Sequence, residues 1–186
     1  MIELMKQIKD TLKSSRYEHT IGVMYTAAAL AMCHGENINK AMTAGLLHDC
    51  AKGLSSEELI VFCQQNKIPV SDAEHNNPEL LHAKAGAHLA QLKYGVTDEY
   101  VLDAITYHTT GRPNMTLLDK IIYIADYIEP HRNKAPNLES LRELAFKNIN
   151  MCLSEILKST LNYLKSENKI IDSKTEETYD YYNKKG

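Results

Sequence analysis

Six side chains stand where an apolar helix would bury them, and their types are those that hold metals or move protons. His48 and Asp49 sit side by side in "LLHDCAKGL". His19 shares a helical stripe with Val23 and Leu30. Small residues flank His82 in "ELLHAKAGAHLA", and His108 closes "VLDAITYH" just before a Thr/Gly loop. Asp126 lies within "IIYIADYI". A buried carboxylate without a partner costs several kcal/mol even after relaxation, on the order of about 3–5 kcal/mol when a pair is broken. A multivalent cation would relieve both carboxylates and the histidines at once. Neighbouring helix residues point about 100° apart, so His48 and Asp49 can reach one ion from two sides. Mixed imidazole and carboxylate ligands suit iron, manganese, cobalt or zinc. A carboxylate can bridge two ions, whereas an imidazole nitrogen cannot. The competing reading is a buried His–Asp hydrogen-bond network with no metal.

The chain has eight histidines. His34 beside Gly35, His75 in a polar loop, His88 on a helix with a solvent face and His131 after Pro130 read as surface or capping residues. Three cations lie a turn or so from the proposed ligands. Arg16 precedes His19 by one turn, Lys52 follows His48 by one turn, and Arg132 stands just beyond the helix of Asp126. Each alone reads as a solvated charge; their recurrence beside the ligands favours phosphate binding.

The elements that must position these residues read as helices throughout. The pattern predicts a short amphipathic helix over 3–12. A second starts with a Ser15/Glu18 capping box and stops at Gly35. A third, capped by Asn39, carries His48 and Asp49 to about Lys52-Gly53. "SSEELIVFCQQN" opens on another capping pattern, and Pro78 suits a first helical turn, with that helix running to Tyr94. "TDEYVLDAITYH" follows, then "TLLDKIIYIADYI", which opens on Thr116 and Asp119. A long amphipathic helix is expected over 138–166, then a polar tail with a tyrosine cluster that docks on the body. No strand alternation or repeat is present. The expected fold class is all-α: one domain over 1–186, a compact helical bundle with its core at about 15–130 and a C-terminal helix and tail over 138–186.

Composition narrows the function classes. At 186 residues the chain can bury a core without disulfides. A net charge of −3 argues against general affinity for nucleic acid or anionic membranes. No apolar run approaches the roughly 18 residues of a membrane span. "MIELMKQIKD" lacks the apolar centre of a signal peptide. The four cysteines, Cys33, Cys50, Cys63 and Cys152, form no CxxC pair, so reduced thiols and a cytoplasmic location are expected. Phosphate-binding GxxxxGK[ST] loops, dinucleotide GxGxxG turns and the deaminase HxE/PCxxC pair are all missing.

The order His19, His48-Asp49, Asp126 on a helical chain resembles the HD phosphohydrolase superfamily. "RYEHTIGVM", "LLHDCAK", "NPELLHAKAGA" and above all "YHTTGRPNMTLLDKIIYIADYIEPHR" look like its bacterial YqeK branch, the symmetrical bis(5′-nucleosyl)-tetraphosphatases. The resemblance runs over nearly the whole chain and weakens in the tail. It implies metal ligation by His19, His48, Asp49 and Asp126, with one or two iron ions, manganese, cobalt or zinc being compatible. It implies that Asp49, His82 and His108 act in catalysis, His82 and His108 by completing a second metal site or by holding phosphate. It further places Arg16, Asp49, Cys50, Ala51, Lys52, His82, His108, Thr109 and Arg132 near the nucleotide. The tail segment Ile170, Ile171, Asp172, Ser173, Lys174 and Thr175, ahead of Thr178-Tyr179, belongs to the same set. Two departures stand out. Cys50 replaces a common aromatic and would make the site more sensitive to oxidation, and Lys84 stands where proline is common.

The implied substrate is a dinucleoside polyphosphate, diadenosine tetraphosphate, and the product is ADP. No nucleic-acid or membrane partner is implied, and a homodimer is compatible. Phosphoryl transfer needs positioning and charge neutralisation more than covalent help from the protein. Two rival readings stay open: an HD enzyme acting on a nucleoside monophosphate or a guanosine alarmone, and a non-catalytic nucleotide sensor that keeps a metal for structure.

Overall fold

The computed structural model describes residues 1–183. Among them every regular element is helical: α1 (Ile2–Lys9), α2 (Ser14–His34), α3 (Ile38–Leu47), α4 (Ser56–Gln65), α5 (Asp72–Asn76), a 3-10 turn (Pro78–Leu81), α6 (His82–Leu92), α7 (Glu99–Thr106), α8 (Leu117–Ile128), α9 (Leu138–Lys147), α10 (Ile149–Ser166) and α11 (Ser173–Asn183). The all-α expectation is met.

Local chemistry sets most boundaries as the sequence suggests. Ser55 and Glu58 form a reciprocal capping box at α4, and Thr116 and Asp119 form one at α8. Gly35 ends α2 in the left-handed region at φ 79°, where a side chain would be strained. Several boundaries differ, among them the helix expected from Pro78 to Tyr94, which is a 3-10 turn to Leu81 followed by α6 to Leu92. Helix α2 starts at Ser14, so Ser15 is already inside it and caps nothing; Lys13 occupies the N-cap with no side-chain bond. Asn37, not Asn39, caps α3, because its extended backbone aims Oδ1 at the Lys40 amide, 3.0 Å away. The helix expected over 138–166 breaks at Asn148, whose backbone is extended at φ −153° and ψ 95° and whose Oδ1 caps α10 from the Met151 amide at 3.1 Å. Both halves are amphipathic, so their apolar stripes read as one.

Helices α2, α3 and α8 form the centre, with α7 against α3 and α8. Met24, Leu30, Leu47, Ile105, Ile121 and Ile124 are fully buried between them. The approach of α2 to α3 is close: a Cβ on Gly45 would lie 2.9 Å from the Met24 Cα. Helices α9 and α10 pack on α8, and α11 packs on α10, so the tail does dock. The Tyr182 hydroxyl accepts the Met115 amide at 2.7 Å, which pins α11 to the loop before α8. Residues 184–186 of the expected tail lie outside the described residues. Among the described residues no helix is long and apolar enough to cross a membrane.

Candidate metal centre

Five segments deliver the six singled-out side chains to one point. His19 comes from α2, His82 from the first residue of α6, and Asp126 from α8. His48 is the C-cap of α3, Asp49 follows it in the turn, and His108 stands two residues past α7. The sequence expectation ran α3 on to about residue 52. The structure ends it at Leu47, which puts His48 and Asp49 in a tight turn instead of a helix interior.

Asp49 is the hub. Its Oδ1 lies 3.3 Å from His82 Nε2 and 3.6 Å from His108 Nε2. Its Oδ2 lies 2.9 Å from Arg16 Nη1, 3.4 Å from His48 Nε2 and 3.9 Å from His19 Nε2. Asp126 Oδ1 stands 3.1 Å from His19 Nε2 and accepts from Arg132 Nη2 at 2.6 Å. His19, His48, Asp49, His82 and His108 are all buried, while Asp126 is half-buried.

The outward nitrogen of each imidazole is already committed. His48 Nδ1–H donates to the Gly45 carbonyl and His108 Nδ1–H to the Ile105 carbonyl, both at 2.7 Å. His82 Nδ1–H donates to the Glu79 carbonyl, and His19 Nδ1–H to Glu129 Oε1 at 3.0 Å. A carbonyl or carboxylate partner leaves only a donor role for Nδ1, so in the neutral form all four rings present the Nε2 lone pair inward. This is the tautomer a metal ligand needs, and the outer partner fixes it.

Whether the residues fit a metal can be tested on those inward atoms. Among the described residues, buried His19 Nε2 and His48 Nε2 have no hydrogen bond of normal geometry. His82 Nε2 and His108 Nε2 face each other at 3.1 Å. Two lone pairs at that distance repel unless a proton or a cation lies between them. The set His19, His48, Asp126 and the set His48, Asp49, His108 each bring their ligand atoms within 4.8 Å of one another. They share His48, whose single free nitrogen serves one ion, so both describe the same centre. The donors are imidazole and carboxylate, with no thiolate, which suits a divalent first-row metal. The residues fit.

The electrostatics agree. Burial opposes ionisation of Asp49, yet His48, with His108 and His82 close to its oxygens, holds its carboxyl well below the usual range. Burial likewise opposes ionisation of Asp126, and the close His19 ring together with the nearby His48 and Arg132 outweighs it. For His48, burial disfavours the charged ring, but Asp49 and Asp126 raise its pKa above the ordinary value. Burial dominates at His82 and pushes its pKa down. Anionic carboxylates in a buried shell are what a cation requires.

The remaining expected residues divide. Arg16 and Arg132 reach the cluster's carboxylates directly. Cys50 turns away, its Sγ 3.3 Å from the Gly86 carbonyl, and burial with the Asp49 charge pushes its thiol up to about 12. Burial and this contact work against the expected sensitivity to oxidation. Ala51 is buried in a small core with Leu59, Cys63, Leu81 and Ala85. Lys52 is half-buried. Thr109, Asp172, Ser173 and Lys174 line one cavity of about 620 Å³ together with Ala83 and Tyr107. Ile170 is exposed, Ile171 half-buried and Thr175 buried. Of the four histidines assigned to surface or capping roles, His34 ties α2 to the Ala145 carbonyl at 2.7 Å, and His131 is exposed.

One functional group escaped the sequence reading. Glu129, the C-cap of α8, is 1% exposed and orients His19. Its second oxygen accepts the His131 backbone amide at 2.8 Å. A Cβ on Gly22 would lie 2.3 Å from that oxygen, so the glycine makes the space. Standing at a helix end before Pro130, it carried no local signal in the sequence.

Comparison with known proteins agrees with this geometry. Residues 16–131 match the HD domain family. A symmetrical bis(5′-nucleosyl)-tetraphosphatase of Bacillus subtilis (strain 168) is 44% identical over 96% of this chain and 95% of its own length. One from Staphylococcus aureus (strain NCTC 8325 / PS 47) is 35% identical over 98% and 94%. A solved structure from Clostridium acetobutylicum, described as a predicted HD superfamily hydrolase involved in NAD metabolism, superposes with a TM-score of 0.94. It is 40% identical and covers 99% of this chain and 97% of that one. With its histidine–aspartate cluster, its helical frame and this coverage, the chain belongs to the HD-domain family.

Proposed function

We propose that the protein hydrolyses diadenosine tetraphosphate, or a closely similar dinucleoside tetraphosphate, symmetrically to two nucleoside diphosphates. The observation that carries this reading is the convergence of four inward Nε2 atoms and two anionic carboxylates, with Arg16 and Arg132 at the rim. It occurs in a chain that matches named tetraphosphatases over nearly its whole length.

His19, His48, Asp49 and Asp126 would hold the metal, for which iron is our choice. Such an ion polarises phosphoryl oxygens and makes water more acidic near neutral pH. The chain's own residues do the rest. Arg16 and Arg132 stand where phosphate oxygens would reach and can grip them in pairs. Asp49, anionic and central, accepts the proton of the attacking water. That water's oxygen bonds to one inner phosphorus while the bond to the central bridging oxygen breaks. The bridging oxygen leaves with the other diphosphate, and the proton taken up by Asp49 passes to it. One water is consumed and two ADP are formed. The cavity of Thr109, Asp172, Ser173 and Lys174 takes one nucleoside.

The test is product analysis. Protein loaded in turn with iron(II), manganese, cobalt or zinc is incubated with diadenosine tetraphosphate, and the nucleotides are separated by chromatography. ADP alone is expected. ATP with AMP overturns symmetrical cleavage, and no turnover with any of the four metals overturns the reading.

A further inference from the structure

A tetraphosphate with a nucleoside at each end needs two anchoring places, and the structure holds a second cavity that shares no lining residue with the first and reaches the metal centre through Arg16. Residues flanking His82, at the junction of the 3-10 turn and α6, contribute to both. Leu80, Ala83 and Lys84 face the first cavity, while Glu79 faces the second. Thr109, next to His108, lines the first; Arg16 and Lys52 line the second. Asp49 divides its oxygens in the same sense, Oδ1 toward His82 and His108, Oδ2 toward Arg16. The cavities are of like size, about 620 and 630 Å³, within the usual range for small-molecule sites of about 300–1,000 Å³.

The chemistry of the second cavity suits a phosphorylated ligand. Lys13, Arg16 and Lys52 bring three cations, and among the described residues neither lysine forms an ion pair. Of its two acids, Glu58 is already engaged by the Ser55 amide at 2.7 Å. Ser15 and Ser56 add hydroxyls that suit a ribose. The cationic end is the end beside Asp49, where Arg16 Nη1 lies 2.9 Å from Oδ2.

We propose that this cavity binds the second nucleoside diphosphate half of a two-headed substrate, a role that rests on the function proposed above. Arg16 and Lys52 hold its phosphates, and Lys13, Ser15 and Ser56 hold its sugar end. A substrate anchored in both cavities lays the middle of its phosphate chain at the metal centre. Central cleavage then follows from the placement of two like cavities about one cluster.

The test uses manganese-loaded full-length protein and two probes followed by calorimetry. One is ADP; the other is diadenosine tetraphosphate with its central bridging oxygen replaced by methylene, which cannot be cleaved there. Ser56→Trp fills the second cavity, and Lys13→Glu reverses a charge at an exposed position, so the second variant serves if the first fails to fold. Each is expected to raise the dissociation constant of the two-headed probe about tenfold or more and to leave the tighter ADP site unchanged. An unchanged affinity for the two-headed probe overturns the proposal. A parallel loss for ADP also overturns it, because the two sides would then not be separate. Failure of the function reading shows differently: no ADP is released from the cleavable substrate, while the contrast between the two binding probes persists.

Discussion

Glu129→Gln tests how the cluster is held in its metal-binding form. The substitution keeps shape and removes one charge. In the native arrangement Glu129 Oε1 accepts from His19 Nδ1–H at 3.0 Å, and Oε2 accepts from the His131 amide at 2.8 Å with His131 Nδ1 also 3.2 Å away. A glutamine has one carbonyl oxygen and one NH2, so it cannot accept from both. The His131 backbone donor cannot change, and the His19 ring can. The amide oxygen therefore stays with His131 and the NH2 turns toward His19 Nδ1. Nδ1 must then accept, the ring proton moves to Nε2, and the inward lone pair is lost. Restoring the ligand tautomer sets two donors against each other, which costs about 1–3 kcal/mol for a buried group. At about 1.4 kcal/mol per tenfold, that is a loss of roughly 5- to 150-fold in metal affinity, and outer partners of metal-bound histidines typically contribute about 10–100-fold. Manganese titration by calorimetry, with circular dichroism to verify folding, reads the loss directly. Gly22→Ala should reproduce it with the carboxylate retained, since its Cβ would lie 2.3 Å from Oε2. A manganese dissociation constant within twofold of wild type in the folded Gln variant would refute the tautomer argument.

Three other outcomes are expected. Removal of metal by a chelator should lower Tm by about 5–10 °C, because a ligand at about 100 times its Kd contributes about 2.7 kcal/mol and each kcal/mol moves Tm by about 2–4 °C at this size; calorimetric scans with and without chelator measure it. Gly45→Ala should destabilise by about 1–3 kcal/mol through overpacking, since the Met24 backbone 2.9 Å away cannot yield as a side chain would; an unchanged urea midpoint refutes the close helix contact. At pH 8 a thiol reagent should modify one cysteine quickly in the folded protein, exposed Cys33, and all four after unfolding, because Cys50, Cys63 and Cys152 are buried and burial pushes the Cys152 thiol up to about 12.

Much of this site was legible because burial of charge is conspicuous. His19, Asp49 and Asp126 interrupt apolar stripes, and a stripe is a local property that the sequence displays directly. The structure brings all six singled-out side chains together. Caps were legible where the reciprocal partner was three residues away, as at Thr116 and Asp119. They were misread where two residues competed, as at Asn37 and Asn39. The break at Asn148 was hidden for a related reason. Asparagine within an amphipathic run is tolerated on a solvent face, and only the extended backbone turns it into a cap. The second cavity could not be read at all, since its walls come from α1–α2, the turn after α3, α4 and the turn before α6.

Glu129 marks the limit most clearly. Followed by Pro130 at a helix end, it reads as a surface turn residue, and nothing near it says otherwise. Its counterpart is Gly22, in the middle of α2, at a position where glycine costs about 1 kcal/mol against alanine. Such a cost in a buried helix implies that something needs the volume of one methyl group. The sequence cannot say what, because the occupant arrives from a different helix, on the far side of the chain order. The glycine and the glutamate are two halves of one signal, and each is uninformative until the fold places Oε2 where the Cβ would be. Residues that orient ligands are in general harder to read than the ligands. A ligand betrays itself by being polar in an apolar stripe, whereas its support is recognised only by what it touches.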